Sequence, residues 1–352
     1  MKDDFIADAE DLILITGSNG FVGSRVVETL LGYGFNNLRC FVRPSSNLTR
    51  LKQIIAQSPN VEVEVFIGSL LSSEDCRKAA KDASIIIHLA AGIGKSFPDC
   101  FMNSVISTKN LLDAVPLGIG FKRFLNVSSF AVYSNQKLKR GALLDESCEV
   151  DKHPEQRNEA YAYGKLKQDE LLHEYHHKNH IPYAIVRPGV VFGPGNPSIS
   201  PRVGIDTFGF FLHLGGNNLI PLTYVDNCAE AIVLAAISKG VNDGEVFNIV
   251  DDELPTSRKF LKLYKKNVRH FRSIFIPYPV FYFLNYIWER YSGWSHGQLP
   301  LLFNRGRCAT YWRGNRYTND KLKSMLGWQP KVPMKEALER YFSSARVNGV
   351  AP

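Results

Sequence analysis

Short apolar runs alternate with helix-length stretches along the first 250 residues of the chain. The runs are LILIT (12–16), RCFV (39–42), VEVFI (63–67), SIIIHLA (84–90), RFLNVSS (123–129), YAIVRPG (183–189) and EVFNIV (245–250). Strands that read as nearly continuous hydrophobics between helices mark a parallel sheet covered on both faces. The pattern predicts an α/β fold, a doubly wound Rossmann sheet. After residue 190 the rhythm breaks into the Pro/Gly-rich VVFGPGNPSISP, and beyond residue 253 into helices and aromatic loops. These segments predict a smaller, mainly helical C-terminal substrate lobe. The expected division is 1–190 with 218–252 for nucleotide binding, and 191–217 with 253–345 for the lobe.

The first strand runs into TGSNGFVG and then a helical pattern, SRVVETLL. Gly17, Gly20 and Gly23 in that position let a turn close and let backbone N–H groups approach a pyrophosphate at the helix's positive end. At the end of the second strand an acid would hold the ribose 2′-hydroxyl of NAD, but the chain has Arg43 in FVRPSSN. A guanidinium suits a 2′-phosphate, so NADP(H) is favoured over NAD(H), although Arg43 could also stack on the adenine.

Residues 161–167, YAYGKLK, place a tyrosine one helical turn before a lysine twice. Such a pair is a proton-transfer device when both groups face a cofactor. At about 100° per residue, Lys165 and Leu172 share the arc of Tyr161, whereas Tyr163 and Lys167 fall among Glu170, Glu174 and His177. The first pair faces inward and the second faces solvent. Ser128 and Ser129, at the end of the fifth strand, are the candidate hydroxyls for holding a substrate oxygen. Just downstream, His173, Glu174 and His177 fit HExxH, but they lie toward the polar side and no third ligand follows, so no metal is expected.

Composition narrows the reading only modestly. The 42 Lys+Arg exceed the 34 Asp+Glu, which suits an anionic small molecule, but the basic residues cluster only at KLKR (137–140) and KKNVRHFR (265–272), so no nucleic-acid partner is expected. Six scattered cysteines without a CxxC pair, and an acidic N-terminus where a signal peptide would be basic, point to a reducing, cytoplasmic setting. SIFIPYPVFYFLNYIW (273–288) is too short to span a bilayer and carries two prolines. It reads as buried or ligand-covering, with peripheral membrane contact as the lesser alternative.

Taken in order, TGSNGFVG, HLAA (88–91), VSSFAVY (127–133), YAYGK (161–165), VRPGVVFGPG (186–195), TYVDNCAEAI (223–232) and LGWQPKVPMKEAL (326–338) resemble the extended short-chain dehydrogenase/reductase family. The similarity includes its epimerase/dehydratase-like members and the 3β-hydroxysteroid-dehydrogenase-like branch. The resemblance implies a pyrophosphate loop of Gly17, Gly20 and Gly23 with backbone contacts from Asn19, Phe21 and Val22. It implies Ala90 and Ala91 beside the adenosine ribose, and Pro188 and Val190 along the nicotinamide carboxamide. It also implies a catalytic set of Ser129, Tyr161 as general acid/base, and Lys165, which holds the nicotinamide ribose and lowers the phenol's pKa. A homodimer through helices after the fourth and fifth strands is implied as well.

Departures from the pattern are Ser69 in place of the acid after the third strand, and Ser104 and Ser107 in place of asparagine and glycine. Phe130-Ala131 stands where 4,6-dehydratases carry Asp-Glu, so water elimination is not expected. The expected function is NAD(P)-dependent hydride transfer at a secondary alcohol or ketone, first of a nucleotide-diphosphate sugar held by Arg202, Arg307, Arg313 and Arg316. The alternatives are an NADP(H)-dependent reductase of a sterol- or flavonoid-like substrate and a non-catalytic nucleotide-binding scaffold.

Overall fold

The computed structural model describes residues 4–347, apart from 59–60, 95, 119, 136–137, 208, 296–297, 299–300 and 302–303. Residue 137 of the KLKR cluster and the first three residues of the acidic N-terminus lie outside the described residues.

All seven expected strands form one parallel sheet: β1 (Ile13–Thr16), β2 (Asn37–Val42), β3 (Glu62–Ile67), β4 (Ile85–His88), β5 (Arg123–Val127), β6 (Tyr183–Pro188) and β7 (Glu245–Ile249). Their spatial order is 3-2-1-4-5-6-7, so the chain reverses its direction of winding between β1 and β4. Every residue of β1, β4, β5 and β6 is buried, whereas edge strand β3 exposes Glu62, Glu64 and Ile67. Helices on both faces cause the difference, because only an edge strand keeps a side open to water.

One face packs Ile13, Ile15, Ile85 and Ile87 against Val26, Val27 and Leu30 of helix Gly23–Gly32 and Ile232 of helix Val225–Ile237. The other packs Leu14, Ile86 and Phe124 against Leu111 of helix Ser107–Asp113 and Leu172 of helix Ala160–Asn179. Alternation along each strand supplies both faces from one short run.

Beyond residue 190 the chain is less purely helical than its pattern suggests. Val190–Phe192 pairs with Leu222–Tyr224, and Gly204–Thr207, Phe210–His213 and Ser273–Phe275 form a three-stranded sheet. Strands of three or four residues are too short to show a period. The run 273–288 also departs from its expected burial. Most of it belongs to helix Tyr278–Trp294, whose described side chains are buried only at Phe281, Asn285 and Ser292. Val280, Phe283, Leu284, Tyr286, Ile287, Tyr291 and Trp294 of this helix are exposed. No described helix is long and apolar enough to cross a membrane.

Candidate active site

The carboxyl ends of β1 to β4 open into a groove of about 390 Å3, lined by Gly17, Asn19, Gly20, Arg43, Ser69, Ala90, Ala91 and Ser107, among others. Gly17 has φ +69°, and a Cβ there would stand 3.1 Å from the Ala90 nitrogen. Gly23 is tighter still: its Cβ would fall 2.1 Å from the Gly17 carbonyl oxygen. The loop therefore folds back onto the start of its own helix, a geometry only glycine permits. Helix Gly23–Gly32 has no acid in its first turn, so its positive end faces no competing carboxylate there.

Phe21, Val22 and Gly23 are not among the groove's described lining residues. Val22 packs against the core, and Phe21 packs against the second hydrophobic cluster and Gly195. Arg43 follows β2, is exposed, and has no carboxylate partner among the described residues. Ser69 donates its backbone N–H to Asp75, 2.9 Å away.

The ends of β5 and β6 lead to a second cavity of about 270 Å3. Ser129, Tyr161, Gly189 and Val190 line it, with Phe130, Phe192, Ile199, Phe260 and Tyr311 as apolar walls. Strand alternation separates the two serines. Ser128 turns inward and donates to Asp169 across 2.9 Å, whereas Ser129 caps the short turn Phe130–Val132 and lines the cavity together with Tyr161. Burial raises the Tyr161 phenol above its ordinary 10.0, and the Ser129 hydroxyl acts in the opposite direction.

Lys165 is buried and donates to the Val127 carbonyl at 2.7 Å. Burial pulls its ammonium down to about 8, against an opposing pull from Asp169. Tyr163 lies edge-on to Phe97, and Lys167 pairs with Glu170 at 2.5 Å. Pro188 ends β6 in the core, in register with Ile249.

Several groups escaped the sequence reading. Asp169 is buried one turn beyond Lys165, where it accepts from Asn126 and Ser128 at 2.9 Å and Arg187 at 3.2 Å. Gln168 donates to Thr108 at 2.7 Å beside His88, whose ring joins Thr16 and Thr108. Burial, with Lys165 nearby, pushes His88 down to about 3, so the ring is neutral. Glu159 lines the cavity and is held by Arg157 at 3.3 Å and Arg307 at 3.7 Å. An acid four residues after a lysine ordinarily reads as a surface pair, which concealed Asp169.

Ser104 occupies the asparagine position. Its hydroxyl accepts from Gly92 N–H at 2.9 Å, and a Cβ on Gly164 would come within 3.0 Å of it. It lies in the π-helical stretch Phe101–Ile106, a widened turn that packs on the tyrosine helix.

Of the four arginines expected to hold an anion, Arg202 lines the cavity, over the Tyr311 ring at 5.3 Å. Arg307 pairs with Glu159, Arg313 donates to the Leu138 carbonyl at 2.9 Å, and Arg316 donates to the Gly141 carbonyl at 3.1 Å. His173 of the HExxH string shares a hydrogen bond with the Tyr183 hydroxyl at 2.5 Å, and no group of three potential metal ligands occurs among the described residues.

The chain is 24% identical to the Arabidopsis thaliana 3β-hydroxysteroid-dehydrogenase/decarboxylase isoform 2, over 96% of this chain but 62% of that relative. It is 25% identical to the decarboxylating sterol-4-α-carboxylate 3-dehydrogenase of Mus musculus, over 94% of this chain and 90% of the relative. In fold it is similar to the UDP-glucuronic acid 4-epimerase of Bacillus cereus, with TM-score 0.70 and 21% identity over 96% of this chain and 99% of that one. Residues 13–249 match the NAD dependent epimerase/dehydratase family. The chain belongs to that family and is an extended short-chain dehydrogenase/reductase.

Proposed function

We propose that the protein is an NADP(H)-dependent dehydrogenase or reductase acting on a secondary alcohol or ketone carried by a largely apolar molecule. The observation that carries this reading is the cavity at Ser129 and Tyr161. Its walls are mainly apolar, and all four arginines that could hold a diphosphate are engaged within the chain, Arg202 by donating to the Thr310 carbonyl at 3.2 Å. Support also comes from the sterol dehydrogenases, whose similarity extends along 94–96% of the chain.

The residues present fit a dinucleotide. The Gly17–Gly23 turn leaves the helix start open to a pyrophosphate, Ala90 and Ala91 border the groove, and exposed Arg43 suits a 2′-phosphate. A bound nicotinamide would supply hydride exchange with the carbinol carbon. Tyr161 gives its proton to the carbonyl oxygen, or takes it from the alcohol, while the Ser129 hydroxyl holds that same oxygen. Lys165, whose ammonium is anchored to the Val127 carbonyl at 2.7 Å, is the cation assigned to this set. Phe130 and Ala131 cannot exchange protons, so the chain's own groups offer no water elimination there.

A second reading, hydride chemistry on a nucleotide sugar, is favoured by Arg202, which lines the cavity. The two are separated by incubating purified protein and NADPH or NADP+ with hydroxysteroids, steroid ketones and nucleotide sugars, following absorbance and analysing products. Turnover of the apolar compounds is the expected result; epimerised sugar with no net redox change would establish the second reading. Cofactor binding without turnover on any compound would favour a scaffold. Arg43→Asp is expected to weaken NADPH binding and spare NADH; tighter NADH binding by the parent chain would reverse the cofactor preference.

The six cysteines are free thiols, which supports a reducing, cytoplasmic setting. We further infer a homodimer through helices Ser107–Asp113 and Ala160–Asn179, to be checked by light scattering.

A further inference from the structure

The outer helix Tyr278–Trp294 carries a continuous apolar stripe that faces away from the protein. Val280, Phe283, Leu284, Ile287, Tyr291 and Trp294 follow helical spacing, and their exposure ranges from 48% at Leu284 and Ile287 to 74% at Trp294. The opposite edge is the packed one, where Phe281 meets Trp312 edge-on at 5.3 Å. Exposed Ile274 and Phe275 extend the patch before the helix begins. An unbroken patch of this kind on a soluble surface marks an interaction site.

Charge identifies what the patch meets. From residue 254 to 288 the sequence holds seven Lys or Arg (Arg258, Lys259, Lys262, Lys265, Lys266, Arg269 and Arg272) and no Asp or Glu. Arg258, Lys259, Lys262, Lys266 and Arg272 are exposed. Arg258 ties a cation to the patch, over the Phe275 ring at 5.2 Å; Arg305 lies over the Tyr286 ring at 5.0 Å but is paired with Glu289, the one acid of the outer helix, at 2.6 Å. Tyrosine and tryptophan at the rim of an apolar face, next to an acid-free basic segment, match the boundary between acyl chains and anionic headgroups. At 17 residues, or about 25 Å, the helix is too short to cross a bilayer of about 30 Å.

We propose that this face docks the protein peripherally on an anionic lipid bilayer, with the helix lying in the headgroup boundary. The inference is independent of the substrate reading, since it needs no turnover to test.

The test is flotation of the purified full chain with vesicles of phosphatidylcholine alone or mixed with phosphatidylserine, at low and raised salt. Expected is binding to the phosphatidylserine vesicles about tenfold or more above the neutral ones, weakened by salt. The combined change Phe283→Ser, Ile287→Ser and Trp294→Ser should abolish flotation while dinucleotide affinity stays at the parent value. Lys262→Glu with Lys266→Glu keeps the apolar face and should remove only the phosphatidylserine preference, so it carries the test should the triple variant fail to fold. Absence of flotation with either vesicle, or equal binding to both, overturns the proposal. A concentration-dependent oligomer dissolved by the triple change, without flotation, assigns the face to a second copy and overturns it equally.

Discussion

Lys165 Nζ donates to the Val127 carbonyl at 2.7 Å, which anchors the ammonium to the last residue of β5, directly ahead of Ser128 and Ser129. Burial holds its pKa near 8, below the ordinary 10.5. Between those values the folded chain binds fewer protons than the unfolded one, so this group makes stability rise with pH there, and its destabilisation is full below pH 8. Lys165→Met is expected to remove that slope from urea midpoints measured between pH 7.5 and 10.5, and to lower turnover by about a hundredfold or more. An unchanged slope would mean that the ammonium is not desolvated in solution.

Tyr161 and Ser129 both line the cavity, whereas Tyr163 leans on Phe97. Tyr161→Phe should reduce kcat by about 10²–10⁴ with dinucleotide binding intact, the range usual for loss of a positioned acid/base. Tyr163→Phe should retain nearly parental kcat. Reversal of the two results would place the chemistry on the wrong side of the helix.

At Gly23 an added methyl meets the Gly17 oxygen at 2.1 Å, and backbone must shift to admit it. Gly23→Ala should cost about 1–3 kcal/mol in denaturant titration and weaken dinucleotide binding together with stability. Gly32, on the same helix, has nothing within 4 Å of such a methyl. There alanine should be neutral or stabilise by up to about 1 kcal/mol.

His88 is neutral in the fold, its pKa pushed down to about 3 by burial and the neighbouring Lys165. Unfolded histidine titrates near its ordinary 6.5, so the unfolded chain takes up the proton first. Stability from this group is complete above pH 6.5 and falls as the pH drops toward 3, by about 1.4 kcal/mol per unit. His88→Gln should flatten that portion of the stability–pH curve, even where it lowers the plateau.

The sheet was legible because its seven strands are short, largely apolar stretches separated by helix-length sequence, and LILIT and SIIIHLA end within two residues of β1 and β4. The tyrosine helix was legible in part. Helical phase separated Tyr161 from Tyr163, but the buried arc is broader than apolar residues alone indicate, since Gln168 and Asp169 are inside it. The Asp169 carboxylate is held there by Asn126, Ser128 and Arg187, and the Gln168 Nε2 group by Thr108, partners that lie far away in sequence. For the same reason Arg313 and Arg316 looked available to an anion: the carbonyls of Leu138 and Gly141 that hold them lie more than 170 positions away.

Trp312 touches two surfaces at once. Its ring meets Phe281 of the outer helix, while its indole N–H donates to the Pro201 carbonyl, 3.1 Å away in the cavity wall, and its neighbour Tyr311 lines that cavity. A single side chain thus serves as a mechanical joint between the solvent-facing stripe and the reaction chamber. Were occupancy of the chamber to shift Trp312, thermodynamic reciprocity would require anything bound at the stripe to change affinity in the chamber by the same factor.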